Sequence, residues 1–221
     1  MSGIVVGLVL VNPQKWDDPF ENFFLRADAV DEHGNIESLD NLARKWYGQC
    51  WTLHSESDAM WRIYGPKKNG IRVSTTVRRL FSVLWDDNDP FRGLKYFIGR
   101  VSYQTRTKIE RFMKNRSFLD VSVGGQNDNF AKLLLTKRTE FRHEAEVRLL
   151  VDDTDGTKGD KNGCYHVPFE YAKIFDDVCL DPRLEDTKCR RVVRKLERLG
   201  CSIPIKQSEL YRVMFQPIRL S

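Results

Sequence analysis

The stretch Phe141 to Val151, FRHEAEVRLLV, decides how the rest of the chain is read. Glu144, Glu146 and Arg148 alternate with Ala145, Val147, Leu149 and Val151. That period of two predicts a half-buried β-strand, apolar on one face and charged on the other. Successive residues on one face of a strand stand roughly 7 Å apart, so two acids and an arginine form one charged row. Such a row is either an ion-pair ladder or the floor of a site. His143 would project to the opposite face and form no dyad with Glu144.

Around this strand the chain reads as strands and helices interleaved. Ile4 to Val11 predicts a buried strand, and Asn12 to Lys15 a turn. Trp16 is expected as a packing anchor, and Asp18 as the cap of a helix opening at Pro19. Residues 28–40 are acidic and loop-like, with a short helix expected from Ser38 to about Tyr47. Gln49 to His54 predicts a strand, Ser55 to Gly65 a helix opening on Ser55 or Ser57, and Ile71 to Thr75 a strand. Val77, Leu80, Phe81 and Leu84 stripe one helix. Tyr96 to Tyr103 predicts a strand, about Thr105 to Asn115 a helix, and Phe130 to Leu135 another. Asp152 to Gly163 resembles a calcium loop but lacks the closing glutamate, and reads as a flexible hairpin turn into a strand at Cys164 to Phe169.

Near the end, Val178 to Leu180 predicts a short strand before Asp181-Pro182. The helix Asp186 to Leu199 is closed by Gly200. Closing strands are expected at Ser202 to Lys206 and Tyr211 to Ile218. The pattern predicts an α+β fold, one domain over residues 1–221, with a mixed, mostly antiparallel sheet and flanking helices.

Composition narrows the function classes. Apolar residues make up 41% of the 221, enough for a core. No apolar run approaches the length of a membrane span, so a cytoplasmic protein is expected. The five cysteines (50, 164, 179, 189 and 201) include no C-x-x-C pair and no Cys/His cluster, which predicts free thiols and neither zinc nor disulfides. Gly-x-Gly-x-x-Gly and Walker loops are absent, as are G-x-S-x-G and H-E-x-x-H. Residues 1–60 hold 4 basic and 10 acidic side chains, whereas residues 61–143 hold 18 and 7. A basic middle suits a phosphate-bearing partner, nucleic acid or dinucleotide, although a solvated mixed surface would read the same.

Four pieces together resemble a large bacterial family known as domain of unknown function 2971. They are Leu8-x-x-x-Asn12-Pro13 leading to Trp16-x-Asp18-Pro19-Phe20-Glu21; Cys50-Trp51-Thr52 leading to Met60-Trp61-x-x-Tyr64 with Gly70-Ile71; Phe141-x-x-Glu144-x-Glu146-x-Arg148; and Val178-x-Leu180-Asp181-Pro182. The resemblance implies a bacterial setting, often a mobile element, phage defence or a toxin, with a neighbour-encoded partner. Members usually carry an aromatic-basic strand ahead of the segment matching Ile4 to Val11, and this sequence departs from them there, which reads as a shortened start or a dispensable motif.

Three functions follow. The Glu144-x-Glu146 strand is similar to that of ADP-ribosyltransferases, which implies NAD as cofactor. Glu146 would then be catalytic and Glu144 its assistant, with Arg148, Asp18, Trp61 and Tyr64 binding substrate. A carboxylate is needed there because positive charge develops on the ribose as nicotinamide leaves. The second function is nucleic-acid binding through the basic middle and Arg190, Arg191, Arg194 and Arg198 of the last helix, aromatics stacking on bases. In the third, Glu144, Glu146 and Arg148 are purely structural. A nuclease-like metal held by Asp17, Asp18 and Glu21 with Glu144 or Glu146 is a remote fourth, so no metal site is expected.

Overall fold

The computed structural model describes residues 6–18, 20–21, 28–30, 33–38, 43–114 and 128–213. The strands are β1 (Val6–Val11), β2 (Asp28–Val30), β3 (Ile36–Ser38), β4 (Trp46–Thr52), β5 (Ile71–Ser74), β6 (Tyr96–Arg100), β7 (Ser102–Gln104), β8 (Thr136–Arg138), β9 (Glu146–Asp152), β10 (Cys164–Phe169), β11 (Asp177–Leu180) and β12 (Ile205–Gln207). The helices are α1 (Asp58–Tyr64), α2 (Val77–Ser82), α3 (Arg92–Lys95), α4 (Arg106–Lys114), α5 (Asp128–Leu134), α6 (Tyr171–Ile174) and α7 (Asp186–Arg198). The class is α+β with mostly antiparallel pairing, as the sequence predicts. Contacts group the chain into two compact units, one built from Gly7–Leu53 and Val77–Phe169, the other from Met1–Val6, His54–Thr76 and Glu170–Ser221.

The larger unit is organised on a five-stranded sheet in the order β10-β1-β4-β9-β6. β9 lies inside it, paired antiparallel with β4 on one side and β6 on the other. Both of its faces are covered. Leu149 and Val151 join Leu8, Leu10, Tyr47, Leu80, Leu84, Tyr96 and Val167 beneath α2. Leu150 joins Trp46, Ala43 and the α5 residues Phe130, Ala131, Leu133 and Leu134 on the other face. Each leucine buried there is worth about 1.5–3 kcal/mol in transfer terms. The half-buried strand expected from the alternation is therefore a central strand, buried at all seven residues. Period two reports two faces but not whether either meets water.

The strand also starts later than its pattern suggests. Thr139–Glu144 forms a 3-10 turn that ends at Ala145, whose φ of 45° is left-handed. Glu144 and His143 thus lie before the strand, and the strand-face argument separating them does not apply. His143 Nδ1 instead sits 3.2 Å from the Glu140 carbonyl.

Other local expectations change too. Asn12 caps a 3-10 turn at Pro13–Lys15, its side chain accepting from the Gln14 amide. The acidic loop contains a hairpin, with β2 and β3 antiparallel. In place of a helix reaching Tyr47, Trp46 and Tyr47 open β4. Tyr96 to Tyr103 divides into β6 and β7, and β7 pairs in parallel with β8. The helix expected from Pro19 and the strand expected over Tyr211 to Ile218 fall largely outside the described residues; Tyr211 to Val213 are not in a strand.

The smaller unit carries a three-stranded sheet, β12-β11-β5, with β11 parallel to β12 and antiparallel to β5. α1 opens on Ser57, whose hydroxyl accepts from the Met60 amide as the capping pattern predicts. Its other end is closed by Arg183, which donates to the carbonyls of Trp61 and Gly65 at 2.6 and 2.7 Å while bridging to the fully buried Asp181 at 2.7 Å. A guanidinium on the last carbonyls of a helix is favoured by the helix dipole. α7 runs to Arg198, and Gly200 follows with φ of +85°.

Candidate functional site

Five ionisable side chains meet inside the larger unit. Arg148 has no exposed surface. Its Nε and Nη2 donate to the two carboxylate oxygens of Glu146 at 2.8 and 2.9 Å. Nη2 also lies 3.1 Å from Glu21, and Nη1 donates to the Leu134 carbonyl at 2.6 Å. Lys137, from the middle of β8, reaches Glu21 and Glu144 at 2.6 Å each and Glu146 at 3.4 Å. Both cations and all three acids are buried.

The backbone explains how such groups fit inside. Across the sheet Arg148 faces Cys50 on β4 and Gly99 on β6, both small. A Cβ at Gly99 would stand 2.5 Å from Leu135, and one at Gly48 would stand 2.7 Å from the Trp16 ring. Trp16 therefore lies flat on the sheet, and its ring covers the Arg148 guanidinium at 4.3 Å. The left-handed turn at Ala145 lets Glu144 reach Lys137 although it precedes the strand. The Thr52 hydroxyl holds the Glu144 carbonyl at 2.6 Å, and the Tyr103 hydroxyl accepts from the Glu146 amide at 2.9 Å.

Burial and pairing act against each other on Glu21, Glu146, Lys137 and Arg148. Burial pushes Glu146 up, but the bonds from Arg148 and the charge of Lys137 bring it below the ordinary carboxylate value. For Glu21 burial wins, and its carboxyl is raised in spite of Arg148 and Lys137. Burial pulls Lys137 and Arg148 down, and their carboxylates more than restore them, so both stay charged. Three acids stand against two bases, and of Glu21 and Glu146 it is Glu21 that holds a proton more easily.

Around this centre lies a rim. Asp18 bonds Arg138 at 3.0 Å, and the Arg138 guanidinium lies 4.5 Å from the Phe20 ring and 5.2 Å from that of Phe141. Asp18 also accepts from the Phe20 amide at 3.1 Å, while the helix it was expected to cap lies largely outside the described residues.

The sequence-predicted residues separate accordingly. Glu144, Glu146 and Arg148 come together, with Asp18 on their rim. Trp61 and Tyr64 belong to the other unit. Trp61 is 6% exposed, against Gly70 and with its indole N–H on Glu56, whereas Tyr64 is 65% exposed. A wall made jointly by Trp61 and Tyr64 is not what α1 provides. Sequence reasoning missed Lys137 altogether, and Glu21 entered it only as the end of the Trp16-x-Asp18-Pro19-Phe20-Glu21 motif and as a remote metal ligand. The positions a metal would take among these acids are filled by the Lys137 ammonium and the Arg148 guanidinium.

On α7, Arg190, Arg191, Arg194, Lys195 and Arg198 are all exposed. They line an open groove of about 600 Å³ along the helix. The described residues place no acid within ion-pair distance of these five side chains. Lys188 pairs with Glu185 at 3.2 Å. Among the described residues no helix is long and apolar enough to cross a membrane.

The fold and site together define an α+β protein built around a buried cluster of mutually paired charges. The family model described as Protein of unknown function (DUF2971) matches residues 60–149, from Met60-Trp61-x-x-Tyr64 through Glu144-x-Glu146 to the residue after Arg148, and this match supports assigning the chain to that family. No curated protein and no solved structure matches the chain.

Proposed function

We propose that the chain binds nucleic acid through α7, and that Glu21, Glu144, Glu146, Lys137 and Arg148 serve as architecture. The observation that carries this reading is the run of exposed bases at 190, 191, 194, 195 and 198 with no acid in reach among the described residues. Pairs such as Arg190–Arg194, Arg191–Lys195 and Arg194–Arg198 set like charges four residues apart, each costing the helix about 0.2–0.5 kcal/mol. An isolated solvated helix gains nothing from that repulsion. A phosphate backbone relieves it and releases counterions.

The NAD-dependent transferase reading has weaker support. Its chemistry needs the Glu146 carboxylate free to face a ribose, and both oxygens already accept from Arg148. Wild-type protein should consume NAD no faster than buffer does. Turnover that Glu146→Gln abolishes would restore that reading.

The test is fluorescence anisotropy of labelled single-stranded and duplex oligonucleotides over a salt series. The logarithm of affinity should fall with the logarithm of salt, with a slope of about −0.7 per phosphate contacted on a single strand and −0.9 on a duplex. Arg191→Glu with Arg194→Glu should abolish binding while circular dichroism stays unchanged. A flat salt response, or unchanged binding by that variant, removes the proposal.

A further inference from the structure

β10 presents Cys164 and His166 two residues apart, so both side chains stand on one face of the strand. Asp160 joins them from the turn that feeds the strand. The ligand atoms of Asp160, Cys164 and His166 all lie within 4.8 Å of one another, and Asp160 Oδ2 is already 3.5 Å from His166 Nε2.

The turn is held by its own backbone. Asp160 donates its amide to the Cys164 carbonyl at 2.8 Å, and the Gly163 amide donates to the Asp160 carbonyl at 2.9 Å. Gly163 takes φ of +62°, a conformation that glycine adopts without strain. The Gly163 carbonyl accepts from the Asn12 amide at 3.0 Å, which ties the turn to the end of β1. The amides of Asn162 and Cys164 both bond Asp160 Oδ1, at 2.8 and 2.9 Å. These bonds fix the carboxylate and leave Oδ2 turned to the histidine, the outer-shell support that orients a metal ligand.

We propose that Asp160, Cys164 and His166 bind a zinc-class divalent ion, with water completing the coordination. One oxygen, one sulfur and one imidazole nitrogen suit a borderline ion, whereas calcium and magnesium take oxygen ligands. A carboxylate and a thiolate together neutralise a dication. Ordinary zinc–ligand lengths in a tetrahedron separate the donor atoms by about 3.3–3.6 Å. Rotation of the exposed His166 side chain, with the Cys164 thiol free to follow, closes the remaining gap of at most about 1.5 Å. Three protein ligands leave a fourth position open, as in zinc sites that carry a reactive water. The spacing Asp-x-x-x-Cys-x-His is short and local, and the backbone pairing across the turn is what converts it into a cluster.

Cobalt(II) titration of the full chain with its thiols reduced tests the proposal. One equivalent should produce tetrahedral d–d absorption and a near-ultraviolet thiolate-to-cobalt band, and zinc should bleach both. Cys164→Ser should remove the thiolate band, while Cys189→Ser and Cys201→Ser leave it in place. Asp160→Asn keeps an oxygen for the two backbone amides, so the turn survives, and should weaken cobalt binding at least tenfold; His166→Ala should do the same. Circular dichroism of each variant confirms the fold. No thiolate band in the wild type, or a band that persists in Cys164→Ser, overturns the assignment.

Discussion

Replacing Arg148 by methionine removes four bonds at once. Two are to Glu146 at 2.8 and 2.9 Å, one is to Glu21 at 3.1 Å, and one is to the Leu134 carbonyl at 2.6 Å. Methionine keeps most of the volume, so the cost is electrostatic rather than a cavity. It leaves Glu21 and Glu146 buried with only Lys137 to answer them, and Glu144 competes for the same ammonium. Breaking a buried pair by deleting one partner costs about 3–5 kcal/mol. That is a large part of the 5–15 kcal/mol that holds an ordinary domain together. With a urea slope of about 2–3 kcal/mol per molar, a loss of about 4 kcal/mol lowers the midpoint by about 1.3–2 M. Urea unfolding followed by far-ultraviolet circular dichroism reads the shift. The double variant Glu146→Met with Arg148→Met removes an acid together with the base, so it should cost clearly less than the two single changes added, by about 2 kcal/mol or more. An Arg148→Met loss under about 1 kcal/mol, or strict additivity in the double variant, would refute the view that these charges are desolvated and mutually dependent.

Three further changes test the frame around the cluster. Gly99→Ala places a methyl 2.5 Å from Leu135 and should destabilise by about 1–3 kcal/mol in thermal melts, whereas Gly93→Ala, with nothing within 4 Å, should not destabilise. Ala145→Gly relieves a left-handed residue and should raise stability by up to about 1 kcal/mol; a lower melting temperature would contradict the turn geometry. Glu21 has a folded-state value raised above the ordinary 4.5, so its favourable protonation is complete below that value and is lost as pH climbs through the folded one. The stability of wild type relative to Glu21→Gln should therefore fall as pH rises above 4.5, measured by urea midpoints, and a rising or flat difference would refute the assignment of the proton.

What was legible in the sequence was what local physics specifies. Helix α7 announces itself through periodic apolar positions and a glycine stop. Ser57 announces α1 through its side-chain oxygen. β9 shows in the alternation from Glu146 to Val151, and the consecutive Leu149, Leu150 and Val151 already hinted that both faces were covered. The turn at Ala145 left no trace, because a left-handed residue is foreseen only where glycine or asparagine stands. The β2–β3 hairpin was hidden for another reason. Val30 and Ile36 are 68% and 72% exposed, so no core pattern marks the strands.

The cluster itself was legible only in part, since Glu21 and Lys137 reach it from positions 116 residues apart and no spacing links them. Lys137, flanked by Thr136 and Arg138, reads as an exposed strand position, although its ammonium supplies three of the five ion pairs at the centre. Charge counted along the chain therefore misdirects in one specific way. The row at Glu144, Glu146 and Arg148 drew notice because it was concentrated, yet its charges are consumed by one another. The bases of α7 are no denser in sequence, but among the described residues no acid lies within ion-pair distance of those at 190, 191, 194, 195 and 198. A charge that the described residues leave unanswered is open to a partner, and that criterion is why the proposed binding surface is placed on the arginines of α7 rather than on the buried carboxylates.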